Sequence, residues 1–137
     1  MANRVIVLAL VACGLALISG CHRPPSGKLI RSVKSGEVTV RLSSETGVIR
    51  VGPNDFFLTF TDNSGHTVDV GNVSLVLHMA SMEGMDEMND TATLVTTGTL
   101  GQYKGHVNVE AAGDWEVQVN YQGTHGKGKA SIPLTAE

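Results

Sequence analysis

A chain of 137 residues with a formal net charge of −3 has the size of one domain and is too acidic to favour nucleic acid as a partner. The charge is unevenly spread. Residues 22–50 carry six basic and two acidic residues, whereas residues 51–137 carry three basic and eleven acidic ones. A basic stem of this kind suits the anionic surface of a membrane. We therefore expect a single small domain with a membrane, and no nucleic acid, among its partners.

The first twenty residues predict a cleaved signal peptide. Arg4 supplies a positive start, and residues 5–18 form an uncharged apolar run that is too short for a transmembrane helix with these flanks. Ile18-Ser19-Gly20-Cys21 then places small residues directly before a cysteine, and this spacing resembles the bacterial lipobox. In that motif signal peptidase II cuts before the cysteine, and the thiol becomes diacylated. The alternative is an ordinary secretory signal followed by a chance cysteine.

Acylation of Cys21 predicts a lipoprotein of the cell envelope, because several acyl chains hold a protein on a membrane where a single chain binds only marginally. His22 stands where aspartate favours inner-membrane retention in enteric bacteria, so the outer membrane is slightly favoured, with the domain facing the periplasm or the cell exterior. Cys13 leaves with the signal peptide, so the mature domain has neither a free thiol nor a disulfide. Residues 21–35, which are rich in proline and glycine near their start, predict a flexible tether.

Short segments with period-two alternation follow, separated by turn residues, and predict an all-β domain over residues 36–137. About seven strands in roughly one hundred residues is the size of an immunoglobulin-like antiparallel β-sandwich. The predicted strands centre on residues 38–42, 56–61, 73–79, 91–99, 103–109, 115–121 and 130–132. The largest side chains expected in the core are Trp115, Phe56, Phe60 and Tyr103.

One segment departs from this pattern of strands and turns. Apart from the initiator, the methionines are Met79, Met82, Met85 and Met88, a strict spacing of three among acidic residues. Thioether sulfurs are neutral and polarizable, so they select Cu(I) over hard divalent ions, and they do not form the disulfides that thiols form in an oxidising compartment. We therefore predict a Cu(I) site carried mainly by Met82, Met85 and Met88, with His78 or Met79 as a further ligand.

Other interpretations of this segment stay open. The methionines could be adaptable apolar filler at a loop end, or a sticky surface for a partner protein. Met79 fits the packing interpretation best, because it is in phase with Leu77 and should point inward. A helix with a methionine stripe is a further alternative, against which Gly84 and the brevity of the segment argue. Among the other histidines, His106 alternates with inward residues and should be exposed, and His125 lies in a glycine-rich connection.

Several motifs, in order, resemble the YtkA-like and FixH-like domain family. They are the strand at residues 57–62, the methionine segment at 79–85, Gly101-Gln102-Tyr103-Lys104-Gly105 and Ala112-Gly113-Asp114-Trp115. The resemblance covers residues 56–133 and implies an immunoglobulin-like β-sandwich outside the cytoplasm. FixH-like members are associated with copper delivery or copper-oxidase maturation, so the resemblance also implies a copper-handling membrane protein as a partner. The chain departs from the family at Ala80, where a proline is common, and in its lipid anchor, where FixH-like proteins have a transmembrane helix.

Two functions are weighed on these grounds. The first is a membrane-anchored carrier or sequestering protein for Cu(I), or an accessory of a copper oxidase or efflux system. The alternative is an interaction or structural lipoprotein whose methionine loop docks on a membrane-protein assembly without metal. An enzyme is disfavoured, because the sequence has no Ser–His–acid pattern in a strand-turn-helix context, no phosphate loop and no closely spaced His/Asp/Glu set with zinc spacing.

Overall fold

The structure, a computed structural model, describes residues 27–124 and 126–137. In this part of the chain the strands form two antiparallel sheets, which confirms the predicted all-β sandwich. The strands are β1 (Lys28–Ser35), β2 (Val38–Ser44), β3 (Gly52–Thr61), β4 (Asn72–Met79), β5 (Met88–Thr91), β6 (Thr93–Thr96), β7 (Gln102–Val109), β8 (Gly113–Gly123) and β9 (Gly126–Ala136). One sheet has the order β1-β2-β3-β7-β6 and the other the order β5-β4-β8-β9.

The predicted signal peptide, Cys21 and His125 lie outside the described residues. Over the described residues, no helix has the length and apolar character needed to cross a membrane.

The space between the sheets is filled by residues that alternate with more polar ones along the strands. The four large side chains expected in the core are all buried, since Phe56, Phe60, Tyr103 and Trp115 are at most 8% exposed. The Phe60 ring meets the Tyr103 ring edge to face, with 5.9 Å between centroids, an arrangement that aromatic pairs favour. Trp115 Nε1 donates a 2.9 Å hydrogen bond to the Ala111 carbonyl, so its polar atom is satisfied. The predicted inward phase of these strands is confirmed.

The two glycines on either side of Tyr103 lie where another residue comes too close for a side chain. A Cβ on Gly105 would lie 2.1 Å from the Phe56 ring, and a Cβ on Gly101, whose φ is +76°, would lie 2.1 Å from the Val68 carbonyl oxygen. Gly105 pairs with Phe56 across β3 and β7, so the ring covers the bare backbone. The glycine-tyrosine motif of the sequence therefore has an origin in close packing.

The predicted tether is wrong from residue 28 onward. Lys28–Ser35 forms β1, which pairs with β2 at the edge of the five-stranded sheet. Its apolar residues Ile30 and Val33 pack against the core, but they are three positions apart because the pairing register shifts near the start of the strand. This irregularity breaks the period-two pattern on which strand prediction depends. The β-sandwich therefore includes Lys28–Ser35, which precede the predicted boundary at residue 36.

The prediction of about seven strands also misses β5. This strand has only four residues, Met88–Thr91, and contains Asn89 and Asp90, whose residue types are depleted in strands. Ala92 separates β5 from β6, and the chain crosses there from the four-stranded sheet to the five-stranded one. The strand predicted over 91–99 is therefore shorter in the structure, where β6 covers Thr93–Thr96.

The start of β1 and the segment between β4 and β5 lie at the same end of the sandwich. Lys28 pairs with Ser44 where β1 begins and β2 ends, and β4 ends where β8 begins. Ile49, in the loop after β2, bridges Ala136 at the end of β9, which joins the two sheets here. We call this the hairpin end, and it comprises Gly27, the loop 45–51, the segment 80–87 and the loop 110–112. The opposite end carries the turns at residues 36–37, 62–66 and 97–101.

Candidate metal site on the β4–β5 hairpin

The segment that joins β4 to β5 closes in a two-residue turn. Met79 pairs with Met88 at the base of this hairpin, and Met82 pairs with Met85 at its tip. The backbone N–H of each tip methionine donates to the carbonyl of the other, both at 3.0 Å. Gly84 has a φ of +82°, as the third position of a type II turn requires. The four methionines are therefore two cross-strand pairs, which we call the base pair and the tip pair.

The spacing of three along the sequence follows from this geometry. Each arm of the hairpin has three positions from the base pair to the tip pair, and successive side chains of a β-ribbon point to alternate faces. Because three is an odd number of positions, the side chains of the tip pair point to the face opposite the base pair. The exposures agree, since Met79 is 1% exposed whereas Met82 and Met85 are 56% and 41% exposed. Met88 is partly buried and packs against the core.

Of the three methionines predicted as the main ligands, the structure brings together Met82 and Met85 as exposed neighbours. Met88 pairs instead with Met79 at the hairpin base, where both side chains contribute to core packing. The burial of Met79 confirms the inward phase that its strand predicts. The tip pair is therefore the candidate centre of a metal site, and the two base methionines have packing contacts whether or not they bind an ion.

The tip pair consists of two exposed methionine side chains in neighbouring positions. Directly opposite residues that exchange both backbone hydrogen bonds have Cα atoms about 5.5 Å apart. The methionine side chain has several rotatable bonds and is adaptable, so both sulfurs can turn toward one ion. Thioethers suit Cu(I), whereas Mg²⁺ and Ca²⁺ require oxygen ligands. The tip can therefore supply two ligands of a linear or trigonal Cu(I) site.

Acidic side chains surround the tip pair. Glu83 and Asp86 are exposed beside it, and Glu87 and Asp90 follow along the second arm. Residues 79–100 contain no Lys or Arg. Charge of one sign raises the local concentration of the opposite ions, so this rim favours the approach of a cation. Within residues 27–124 and 126–137, no three His, Cys, Asp or Glu side chains are grouped so as to hold a metal ion.

His78 lies beside the base of the hairpin, and two neighbours hold its ring. Its Nδ1 lies 2.9 Å from Asn89 Oδ1 and 3.8 Å from Glu87 Oε1. Asn89 Nδ2 donates to the same carboxylate oxygen at 2.9 Å. Because an amide oxygen only accepts, Nδ1 of His78 is the donor in this hydrogen bond, and Nε2 is the ring nitrogen left for a metal ion. Histidine ligands of metals are commonly oriented in this way.

The His78 ring is nevertheless some distance from the tip pair. Four residues in an extended chain span at most about 13 Å, so His78 lies toward the base of the hairpin and Met82 at its tip. His78 is therefore a separate donor on the same hairpin. Its contacts with Asn89 and Glu87 were not predicted from the sequence, because they depend on the pairing of β4 with the unrecognised strand β5.

His106 is exposed, as predicted, and lies on the other sheet. Its Nδ1 is 2.7 Å from Asp55 Oδ1, and Lys104 Nζ is 3.6 Å from the other oxygen of Asp55. The hydrogen bond with His106 is the largest cause that holds the pKa of Asp55 below its ordinary value, and the positive charge of Lys104 acts in the same direction. This cluster is a surface ion network, in which His106 is already engaged by a carboxylate.

Comparison with known proteins places the chain in a family. The family model described as YtkA-like matches residues 32–120, which include the β4–β5 hairpin and the glycine-tyrosine segment. Neither the curated proteins nor the solved structures contain a significant match. The family match covers more than half of the 137 residues, and the chain therefore belongs to the YtkA-like family.

Proposed function

We propose that this protein is a membrane-anchored, extracytoplasmic Cu(I)-binding protein that carries its ion on the methionine hairpin between β4 and β5. The observation that carries the proposal is the tip pair, in which Met82 and Met85 are directly opposite one another and both exposed. Such a protein would carry or sequester Cu(I), or act as an accessory to a copper oxidase or an efflux system.

The surroundings of the tip pair favour metal binding over packing. Packing explains Met79 and Met88, which contact the core, but it does not explain two largely exposed methionines beside Glu83 and Asp86. Apolar side chains gain little when they remain in water, and polar residues at a β-turn would leave the hairpin equally well formed. A pair of thioethers inside an acidic rim has a direct use, since it combines soft ligands with attraction for a cation.

The competing function is a docking lipoprotein that uses no metal. The same exposure of Met82 and Met85 favours it, because adaptable methionine side chains serve promiscuous binding surfaces. The two functions differ in what they require of the sulfur atom. A docking surface needs volume and apolar character, which leucine also provides, whereas a copper site needs the thioether itself.

Anaerobic titration of the mature protein with Cu(I) against a competing chelator tests the proposal directly. We expect one tightly bound ion per chain, with an affinity that persists as the pH falls below about 6.5, the ordinary pKa of histidine. The reason is that thioethers bind no proton in this range, whereas protonation of an imidazole competes with the metal. Affinity that collapses below that pH would assign the ion to histidine, and absence of tight binding at neutral pH would contradict the proposed function.

The anchor has its own test. Changing Cys21 to alanine should prevent both lipid attachment and cleavage by signal peptidase II, so the protein should stay in its precursor form. Metabolic labelling with a radioactive fatty acid, followed by electrophoresis, measures the first effect, and the mobility of the band measures the second. Labelling that persists in Cys21→Ala would place the lipid elsewhere on the chain.

A further inference from the structure

The methionine hairpin lies at the end of the sandwich from which the chain leads back to Cys21. Residue 27 precedes β1, whose first residue pairs with Ser44 at the hairpin end, and the tip pair extends beyond β4 at that same end. The chain entry and the hairpin are separated in the direction perpendicular to the strands. β1 is an edge strand of one sheet, and the hairpin continues β4 and β5, which lie toward the far side of the other sheet. This lateral separation corresponds to three strand spacings, or about 14 Å.

The chain between Cys21 and the folded domain is short. Residues 21–26 span at most about 20 Å even when fully extended. The strands are longer than this, since the eleven residues of β8 correspond to roughly 36 Å of extended chain. A lipid on Cys21 therefore keeps the hairpin end near the membrane, and the opposite end comes equally close only if the domain lies along the bilayer surface.

Exposed apolar and basic side chains lie together near the chain entry, whereas the turn 97–101 at the opposite end carries Leu100, which is 70% exposed, without a Lys or Arg. Near the chain entry, Lys28, Arg31 and Arg50 are exposed, and Leu29 and Val51 are 49% and 50% exposed. We call these five residues the entry corner. Glu45 is exposed in the same loop as Arg50, and the exposed Glu137 hydrogen-bonds through its backbone to Ile49 and Val51, so the three basic side chains exceed the two acidic ones by one charge. Basic and apolar side chains together suit the surface of an anionic bilayer.

The hairpin has the opposite character. Its tip is surrounded by Glu83, Asp86 and Glu87, and such charges are repelled by anionic headgroups. Contact of the entry corner with the bilayer would therefore place the tip pair close to the membrane plane but hold it out of the lipid. An ion bound there would be accessible from the side, at the height of the extracytoplasmic surfaces of integral membrane proteins.

We propose that the entry corner binds the anionic bilayer surface and orients the domain so that the methionine hairpin faces the membrane. The inference rests on acylation of Cys21, which is part of the proposed function, and it does not depend on copper. It deepens that function, because a site held in this orientation exchanges its ion with a membrane-embedded partner more readily than with a protein that diffuses far from the bilayer.

The test uses the lipidated, copper-free protein reconstituted into vesicles of phosphatidylcholine and phosphatidylglycerol that contain a headgroup-labelled acceptor lipid. Because the thiol of Cys21 is acylated, a single new cysteine takes a donor dye at Glu83→Cys in the hairpin tip or at Ser64→Cys at the opposite end. Flotation with the vesicles comes first. We expect stronger energy transfer from position 83 than from position 64. Equal or reversed transfer, or failure of the protein to float, would overturn the inference.

Charge reversal tests the entry corner itself. Lys28→Glu with Arg50→Glu should reduce the difference in energy transfer between the two dye positions, because it removes attraction for the anionic surface. The matched control is Lys127→Glu with Lys129→Glu, two lysines of β9 away from the corner, and it should leave the difference intact. A difference that survives reversal at the corner would show that lipid docking there does not orient the domain. Failure of Cu(I) binding is measured separately in the titration, so the two outcomes are distinguishable.

Discussion

Replacing Met82 and Met85 together by leucine should abolish tight Cu(I) binding and leave the domain folded. Loss of an outer-shell partner typically costs a metal site 10–100-fold in affinity, so removal of both sulfurs should cost more than about 100-fold. Both side chains are largely exposed, and leucine has a similar volume, so thermal stability should change little. Competition titration with a Cu(I) chelator and a melting curve of each protein measure the two effects.

Met88→Leu is the matched control for this experiment. Met88 has the same spacing in the sequence, but the structure packs it against the core opposite Met79. We expect Met88→Leu to retain most of the Cu(I) affinity. If it loses as much as the double variant, the hairpin must open on binding to bring the base methionines to the ion. If the double variant binds Cu(I) like the unmodified protein, the copper function is excluded and docking becomes the better explanation of the exposed pair.

Trp115→Ala should destabilise the domain by about 3–5 kcal/mol, the usual cost of truncating a large aromatic side chain in a core. Trp115 is 3% exposed, and its ring also donates to the Ala111 carbonyl. Typical domains have only about 5–15 kcal/mol of stability, so a large part of the total is removed. Thermal denaturation followed by circular dichroism should show a melting temperature lower by more than about 10 °C.

Two further variants show whether that loss comes from the core. Trp115→Phe keeps an aromatic ring but removes the Nε1–H donor, so we expect a smaller destabilisation than for alanine. Val95→Ala serves as the surface control, because Val95 is 56% exposed on β6, and it should melt close to the unmodified protein. Equal melting temperatures for Trp115→Ala and Val95→Ala would contradict the packing of Trp115 in this fold.

The copper and stability predictions concern different layers of the same end of the molecule. Trp115 and Met79 belong to the core beneath the hairpin, and Asp90 accepts a hydrogen bond from the Glu110 backbone N–H at 3.3 Å. The hairpin base is therefore tied to the sandwich, while the tip pair extends from it. A change in the core should lower the stability of the domain, and it should weaken metal binding only when the domain unfolds. A change at the tip should alter metal binding alone.

Period-two alternation by itself determined the all-β class and the inward phase of the central strands. Core residues such as Phe60 and Trp115 have polar neighbours on both sides in the sequence, and in a sheet that period dictates which side chains face the core. This alternation did not predict β1 and β5, and the reason is physical. The register shift in β1 breaks the period, and β5 is four residues long with Asn89 and Asp90 in its middle. Such edge strands form because a neighbour pairs with them, and pairing is not visible in local sequence.

The methionine spacing shows the same difference between what the sequence determines and what the tertiary structure determines. The sequence alone determined that four thioethers lie within ten residues and that residues 22–137 contain no cysteine, and this composition favours a soft ion. It did not separate the four residues, because a spacing of three is compatible with a helix stripe, a loop or a hairpin. Only the tertiary structure decided that Met82 pairs with Met85 in solvent while Met79 pairs with Met88 against the core. The reason is the turn at Glu83-Gly84, since the cross-strand register it sets directs the two pairs to opposite faces of one ribbon.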